Sequence, residues 1–275
     1  MAASNRTIND GARPIGVFDS GIGGLTVAKA IGSLLPKEKI FYIGDTARVP
    51  YGGKSASTVE RYSLEIVDLL LAENAKVVII ACNTASSLAL PRLERTVPVP
   101  LLGVVEPGAR AAAAATHNGR VGVIGTRATI ISGAYESALK RFDSNLHVTS
   151  RACPLLVPLI EEGWLESPVT DQVIHGYLAP LVAEKIDTLV LGCTHYPLLR
   201  NTFARLLGPE ITLVDSAENC AAATKELLEQ KQLLTPKIEA GGIQVALTDA
   251  ADNFLSVAQE VLQLNVGEVQ LRQLN

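Results

Sequence analysis

The sequence is short of the features that commonly mark a partner or a compartment. Its 24 Lys and Arg form no cluster and are outnumbered by 28 Asp and Glu, for a net charge of −4. That pattern argues against nucleic acid and against an anionic membrane surface as partners. No apolar run approaches the ~18 residues needed to cross a bilayer. The longest, AKVVIIA (75–81), reads as a buried strand. The opening stretch MAASNRTINDGARP is polar and has no apolar h-region of the kind a signal peptide carries. Only four cysteines are present, Cys82, Cys153, Cys193 and Cys220, and none forms a C-x-x-C pair. So sparse a set is not a disulfide scaffold. The expectation is a soluble cytoplasmic protein with reduced thiols.

Apolar material is plentiful by contrast. Hydrophobic residues make up 48% and charged ones 19%, enough to fill a core, and 275 residues suffice for two domains. Short β-branched runs alternate with helical patterns throughout. The runs are IGVF (15–18), FYIG (41–44), VVIIA (77–81), LLGVV (101–105), VGVIG (121–125), DTLVLG (187–192), ITLVD (211–215) and IQVAL (243–247). Several are apolar at every position, as strands of a parallel sheet covered on both faces are. Helical stretches between them include Ser57–Glu73, Thr129–Phe142, Asp171–Glu184 and Glu218–Gln230. The architecture this predicts is doubly wound α/β.

Two segments echo one another. VVIIACNTASS and LVLGCTHYPLL each run from an apolar strand to a cysteine, small polar residues and a helix start, with the cysteines 193 − 82 = 111 residues apart. This reads as a pseudo-repeat of two parallel-sheet domains whose equivalent strand ends meet at a cleft. The expected division is 14–103 plus 212–275 for a discontinuous first domain, and 104–211 for the second. Residues 1–13 read as a flexible extension.

Ligands of open α/β sheets bind beyond the carboxyl ends of the strands. Four polar clusters fall there: Asp19-Ser20-Gly21, Cys82-Asn83-Thr84, Gly125-Thr126 and Cys193-Thr194-His195. Cys153 and Cys220 read as small buried hydrophobes. Cys82 and Cys193 stand where a strand hands over to a helix, and there amide N–H groups and the helix dipole favour a thiolate. A nucleophilic site would leave one of this pair unexplained. A redox pair needs Cα atoms within ~7 Å. A zinc site with His195 lacks short ligand spacing and a clear fourth ligand. An acid and a base on opposite faces of one carbon account for both thiols, which makes the reaction a racemisation or epimerisation. Asp19 and His195 are then placed to tune the thiols, although Asp19 also suits a turn. Ser20, Asn83, Thr84 and Thr194 offer hydrogen bonds that hold a carboxylate, or that cap helices. The loop DSGIGG (19–24) matches neither G-x-G-x-x-G nor a Walker sequence, so no dinucleotide is expected. VPYGGKS (49–55) reads as a lid or pocket wall.

DSGIGGLTV, GDTARVPYG, ACNTAS, GVVEPGA, IGTRATI and GCTHYPLL occur in this order between Asp19 and Leu199. Together they resemble the motifs of the glutamate racemases, in the aspartate/glutamate racemase superfamily. The resemblance implies interconversion of L- and D-glutamate without pyridoxal phosphate or metal, supplying D-glutamate for peptidoglycan. It also implies two α/β domains with the site between them, and a homodimer. By motif, Cys82 and Cys193 become the proton donor and acceptor, assisted by Asp19 and His195. Asp19, Ser20, Tyr51, Gly52, Asn83, Thr84, Thr194 and His195 become substrate residues. A further catalytic glutamate falls on Glu161 in CPLLVPLIEEGW, with Glu162 adjacent. Racemisation of aspartate or a related acid is the nearest alternative. A catalytically silent amino-acid sensor is a more distant one, since binding alone needs no thiol on either face.

Overall fold

The computed structural model describes residues 11–250 and 269–274. Its strands form two sheets in which every pairing is parallel. The first sheet uses β1 (Ile15–Asp19), β2 (Lys39–Gly44), β3 (Val77–Ile80), β4 (Leu101–Gly103), β9 (Gly242–Leu247) and β10 (Val269–Leu271), in the order β10-β9-β2-β1-β3-β4. The second uses β5 (Arg120–Gly125), β6 (His147–Ala152), β7 (Thr188–Gly192) and β8 (Thr212–Asp215), in the order β6-β5-β7-β8.

The apolar runs make such sheets because successive side chains leave a strand on opposite faces. Ile15 and Val17 of β1, with Val77 and Ile79 of β3, pack under helices α1 (Leu25–Leu34) and α11 (Ser216–Gln230). Phe18, Val78 and Ile80 point the other way, onto α2 (Ala56–Ala72) through Val59, Ile66, Val67 and Leu70. The second sheet repeats the arrangement. Leu189 and Leu191 meet α8 (Leu156–Glu161) and α9 (Pro168–Ala183), whereas Val121, Val123 and Val190 meet α5 (Val105–Ala115) and α7 (Ala134–Phe142). Among the described residues no helix is long and apolar enough to cross a membrane.

Several expectations change. Thr212–Asp215 pairs with Thr188–Leu191, so the chain returns to the first sheet after Asp215 rather than at 212. The expected helix over Thr129–Phe142 is two, α6 (Arg127–Ile131) and α7, parted where Gly133 takes φ 65°. Strand LLGVV stops at Gly103, and Val105 already begins α5. Of the extension read as flexible, Gly11–Arg13 is fixed to the body: Lys76 Nζ donates to Gly11 O (2.7 Å) and the Arg13 guanidinium donates to Asn74 O and Ala75 O (2.9 Å each). Residues 1–10, and 251–268 of the expected first domain, lie outside the described residues.

Candidate active site

The parallel strands of both sheets deliver their carboxyl ends to one small cavity. Its walls include Ser20 after β1, Tyr51 and Gly52 after β2, Cys82, Asn83 and Thr84 after β3, and Cys193, Thr194 and His195 after β7. Val49, Pro50, Thr126 and Val157 complete the lining. Of the residues expected from sequence, Asp19 and Glu161 stand behind this wall. A larger groove runs past Thr26, Lys29, Pro197 and Glu218, but it is lined by neither Cys82 nor Cys193.

Each thiol sits in a different electrostatic setting. Cys82 caps α3 (Asn83–Leu88), its Sγ accepting from Ala85 N–H at 3.5 Å and its thiol donating to Ser20 Oγ at 3.6 Å. The helix start was expected to favour a thiolate here. Burial wins instead, and with the nearby charge of Asp19 it pushes the Cys82 thiol up to about 12 despite those two hydrogen bonds. Cys193 Sγ lies 3.9 Å from His195 Nδ1, and His195 Nε2 lies 3.3 Å from Glu161 Oε1 at the end of α8, an ion-pair distance without hydrogen-bond alignment. Burial opposes charge on His195, yet Cys193, Glu161 and Asp19 together raise it to about 10. The shift favours the protonated imidazole, which stands beside Cys193. Cys153 and Cys220 are fully buried, and burial pushes each up to about 12, as suits packing residues.

Asp19, fully buried at the end of β1, joins the two sheets. Its Oδ2 accepts from Gly21 N–H (3.1 Å) and its Oδ1 from the Thr194 hydroxyl (3.3 Å). Small residues make this closeness possible. A Cβ on Gly23 would fall 2.5 Å from Thr194 Oγ1, and one on Gly52 would fall 2.6 Å from Thr126 Cβ. The loop after β2 is held by the buried Asp45 carboxylate, which accepts from the Tyr51 hydroxyl, Arg48 Nε (2.7 Å) and the Thr248 hydroxyl (2.9 Å).

Three contributions escaped the sequence reading. Thr126 was noticed at a strand end but not placed in the site. Its Oγ1 lies 2.9 Å from that of Thr84 and 3.0 Å from that of Thr129, a hydroxyl cluster spanning both sheets. Asp45 gave no signal beyond its position in GDTARVPYG. Tyr135 sits in α7, and its hydroxyl donates to Asn83 Oδ1 at 2.6 Å. Only the folded chain reveals that pairing, across 52 residues.

Uncharged donors, an imidazole and two thiols in different surroundings thus line one space, with the Asp19 carboxylate behind it. The arrangement suits moving a proton on or off a small polar molecule. Comparison with known proteins agrees. The family model for Asp/Glu/Hydantoin racemase matches residues 19–224. Glutamate racemase of Geobacter metallireducens is 50% identical over 94% of this chain and 95% of its own length. The crystal structure of glutamate racemase isoform RacE1 from Bacillus anthracis has TM-score 0.91 at 40% identity, covering 95% of this chain and 98% of that one. That of Francisella tularensis glutamate racemase has TM-score 0.90 at 35% identity, covering 96% and 99%. An aspartate racemase from Picrophilus torridus shares the fold at 16% identity and TM-score 0.54. The chain belongs to the Asp/Glu/hydantoin racemase family and, within it, to the glutamate racemases, isomerases that racemise an amino acid.

Proposed function

We propose that Cys82 and Cys193 racemise glutamate as a two-base pair acting on opposite faces of the α-carbon, without a cofactor. A thiolate on one side removes the α-proton. The thiol on the other side gives its proton to the opposite face of the carbanion. The two sulfurs exchange protonation states, and the reverse reaction restores them. The observation that carries the reading is that both thiols line one cavity, one reached from each sheet. Asp19 and His195 tune the thiols, and Glu161 supports the His195 cation. Ser20, Tyr51, Gly52, Asn83, Thr84 and Thr194 hold the substrate together with Asp19 and His195. The choice of glutamate is supported by the relatives, one of which, from Francisella tularensis, was crystallised with D-glutamate.

The two sheets correspond to two domains with the site between them, the first discontinuous and resumed after Asp215. The product D-glutamate supplies peptidoglycan synthesis in the cytoplasm, and the active form is a homodimer. Incubation with L-glutamate in deuterated water tests the chemistry. Deuterium enters the α-position as optical rotation decays, with no addition but a reductant. Absence of exchange sinks the racemase mechanism. A Cys82→Ala or Cys193→Ala variant with near-normal turnover removes that thiol from it. Strong inhibition by chelators points to a metal instead.

A further inference from the structure

Behind the cavity wall, three side chains from distant parts of the chain meet. Asn83 immediately follows Cys82 and lines the cavity at 2% exposure. Its Oδ1 accepts from the Tyr135 hydroxyl at 2.6 Å and from the Ser216 hydroxyl at 3.5 Å, and these two hydroxyls lie 3.3 Å apart. Its Nδ2, also buried, has no hydrogen-bond partner among the described residues. A buried amide donor left unmatched is costly unless a ligand meets it. Here the amide spends its acceptor on the protein and keeps its donor for the cavity.

Tyr135 is held firmly enough to impose that orientation. Its ring lies between two glycines where a Cβ would come within 3.1 Å (Gly192) and 3.4 Å (Gly108) of ring carbons. Gly192 directly precedes Cys193, so one tyrosine touches the residue before one thiol and the residue after the other. Burial pushes its phenol well up, so the hydroxyl keeps its proton and calls for an acceptor opposite. Ser216 opens α11, the helix entered as the chain leaves the second sheet. A reversed amide would turn Oδ1 toward the cavity, where it would repel an anionic group.

We infer that Tyr135 and Ser216 are positioning residues for the reaction: they fix the Asn83 amide so that its N–H donors meet a substrate carboxylate. The inference rests on the reading of Asn83 as a substrate residue. Because the three come from different segments, the donor is aligned only when both sheets are in register around the cavity.

The test is a kinetic cycle on the full chain with L- and D-glutamate. It uses Tyr135→Phe and Ser216→Ala, each alone and combined with Asn83→Ala. Loss of one neutral hydrogen bond predicts a roughly fivefold rise in KM for Tyr135→Phe, with kcat changed less than twofold. Ser216→Ala gives a smaller rise, and Ser216→Thr, which keeps the hydroxyl, restores KM. In the Asn83→Ala background neither substitution moves KM further. A purely structural role predicts the same factor in both backgrounds, and that result overturns the inference, as does an unchanged KM in both single variants. Should Asn83→Ala alone leave KM unchanged, the assignment of Asn83 to the substrate falls and the inference with it. The two-thiol mechanism is read separately, through solvent exchange.

Discussion

Gly23→Ala isolates how much of the activity depends on distance at the site rather than on stability. Gly23 adopts no positive φ, so alanine brings no backbone strain. The added Cβ would lie 2.5 Å from Thr194 Oγ1, 2.6 Å from His195 Nδ1 and 2.9 Å from His195 Cε1. Ordinary contact begins near ~3.5 Å, so both side chains must retreat by about 1 Å. Neither has room, with Thr194 at 6% and His195 at 3% exposure. Retreat breaks the Thr194 bond to Asp19 and moves His195 relative to Cys193. A misplacement of about 1 Å at a reacting group lowers rates by about a hundredfold. The matched control is Gly16→Ala. There the Cβ falls 2.9 Å from Ala75 Cβ and 3.2 Å from Leu70 Cδ2, in the core under α2. Overpacking of that kind costs about 1–3 kcal/mol of stability and leaves the site alone. Decay of L-glutamate ellipticity gives kcat, and thermal melting gives stability. Both variants lose Tm through overpacking, but only Gly23→Ala also loses about two decades of kcat, while Gly16→Ala keeps a kcat near the parent's. A Gly23→Ala enzyme within threefold of the parent would refute the argument that this approach sets the catalytic geometry.

Two further tests concern charge. Lys76 and Glu38 form a buried pair, Nζ to Oε2 2.5 Å, that also holds Gly11 O and Thr235 N–H. Burial lowers the Lys76 ammonium against the pull of Glu38. Removing one partner strands the other, so Lys76→Met costs about 3–5 kcal/mol in urea unfolding. Lys76→Met with Glu38→Gln costs less than Lys76→Met alone, and simple additivity would contradict the pairing. The second test is pH. His195 is raised to about 10 against an unfolded value near 6.5, so the folded state binds its proton more tightly. That stabilisation is complete below pH 6.5 and is lost as pH rises to 10, with a slope of at most about 1.4 kcal/mol per unit. Cys82, pushed up to about 12, keeps a proton that the unfolded chain releases from about pH 9, adding a loss of the same sign above that pH. Melting curves from pH 6.5 to 9 should therefore fall for the parent and flatten for His195→Gln. A flat parent profile would mean the imidazole carries no extra proton.

What the sequence discloses and what it hides follow one physical line. Strands β1, β3, β5 and β7 are legible because burial on both faces keeps their central positions apolar, with polar residues only at strand ends. Strand β6 is not, because HVTSRA lies at an edge and is largely exposed or half-exposed, so no apolar pattern was needed. ITLVD reads as a strand from its own residues, yet nothing in them says which sheet it joins. Pairing with β7 decides that. The break at Gly133 is hidden because apolar spacing continues on both sides of it, through Ile130 and Ala134. Residues at strand ends could be found by topology alone, which is why both cysteines, Asp19 and His195 were. Tyr135, in the first turn of α7, and Asp45, inside a loop, meet Asn83 and Thr248, partners that sequence distance conceals. The misjudged sign at Cys82 has the same origin. A helix start is visible in a sequence, whereas the depth of burial that outweighs it is not.

That reversal bears on how the proposed pair works. A two-base racemase at rest needs one proton on its thiols and one vacancy. The surroundings break the tie: Cys82 is buried beside Asp19 with neutral donors only, while Cys193 faces a cationic imidazole. Burial and Asp19 therefore favour the protonated form of Cys82, whereas Cys193 lies 3.9 Å from the His195 imidazole. The enantiomer whose α-hydrogen faces Cys82 needs that thiol to ionise, and among the described residues no cationic side chain is one of the main groups acting on it. On the proposed mechanism that charge comes with the substrate, whose ammonium is bonded to the carbon under attack. Binding then does for Cys82 what His195 does for Cys193. The two directions should differ in how steeply they respond to His195→Gln, the direction served by Cys193 losing more, even though the overall equilibrium between mirror images stays at one.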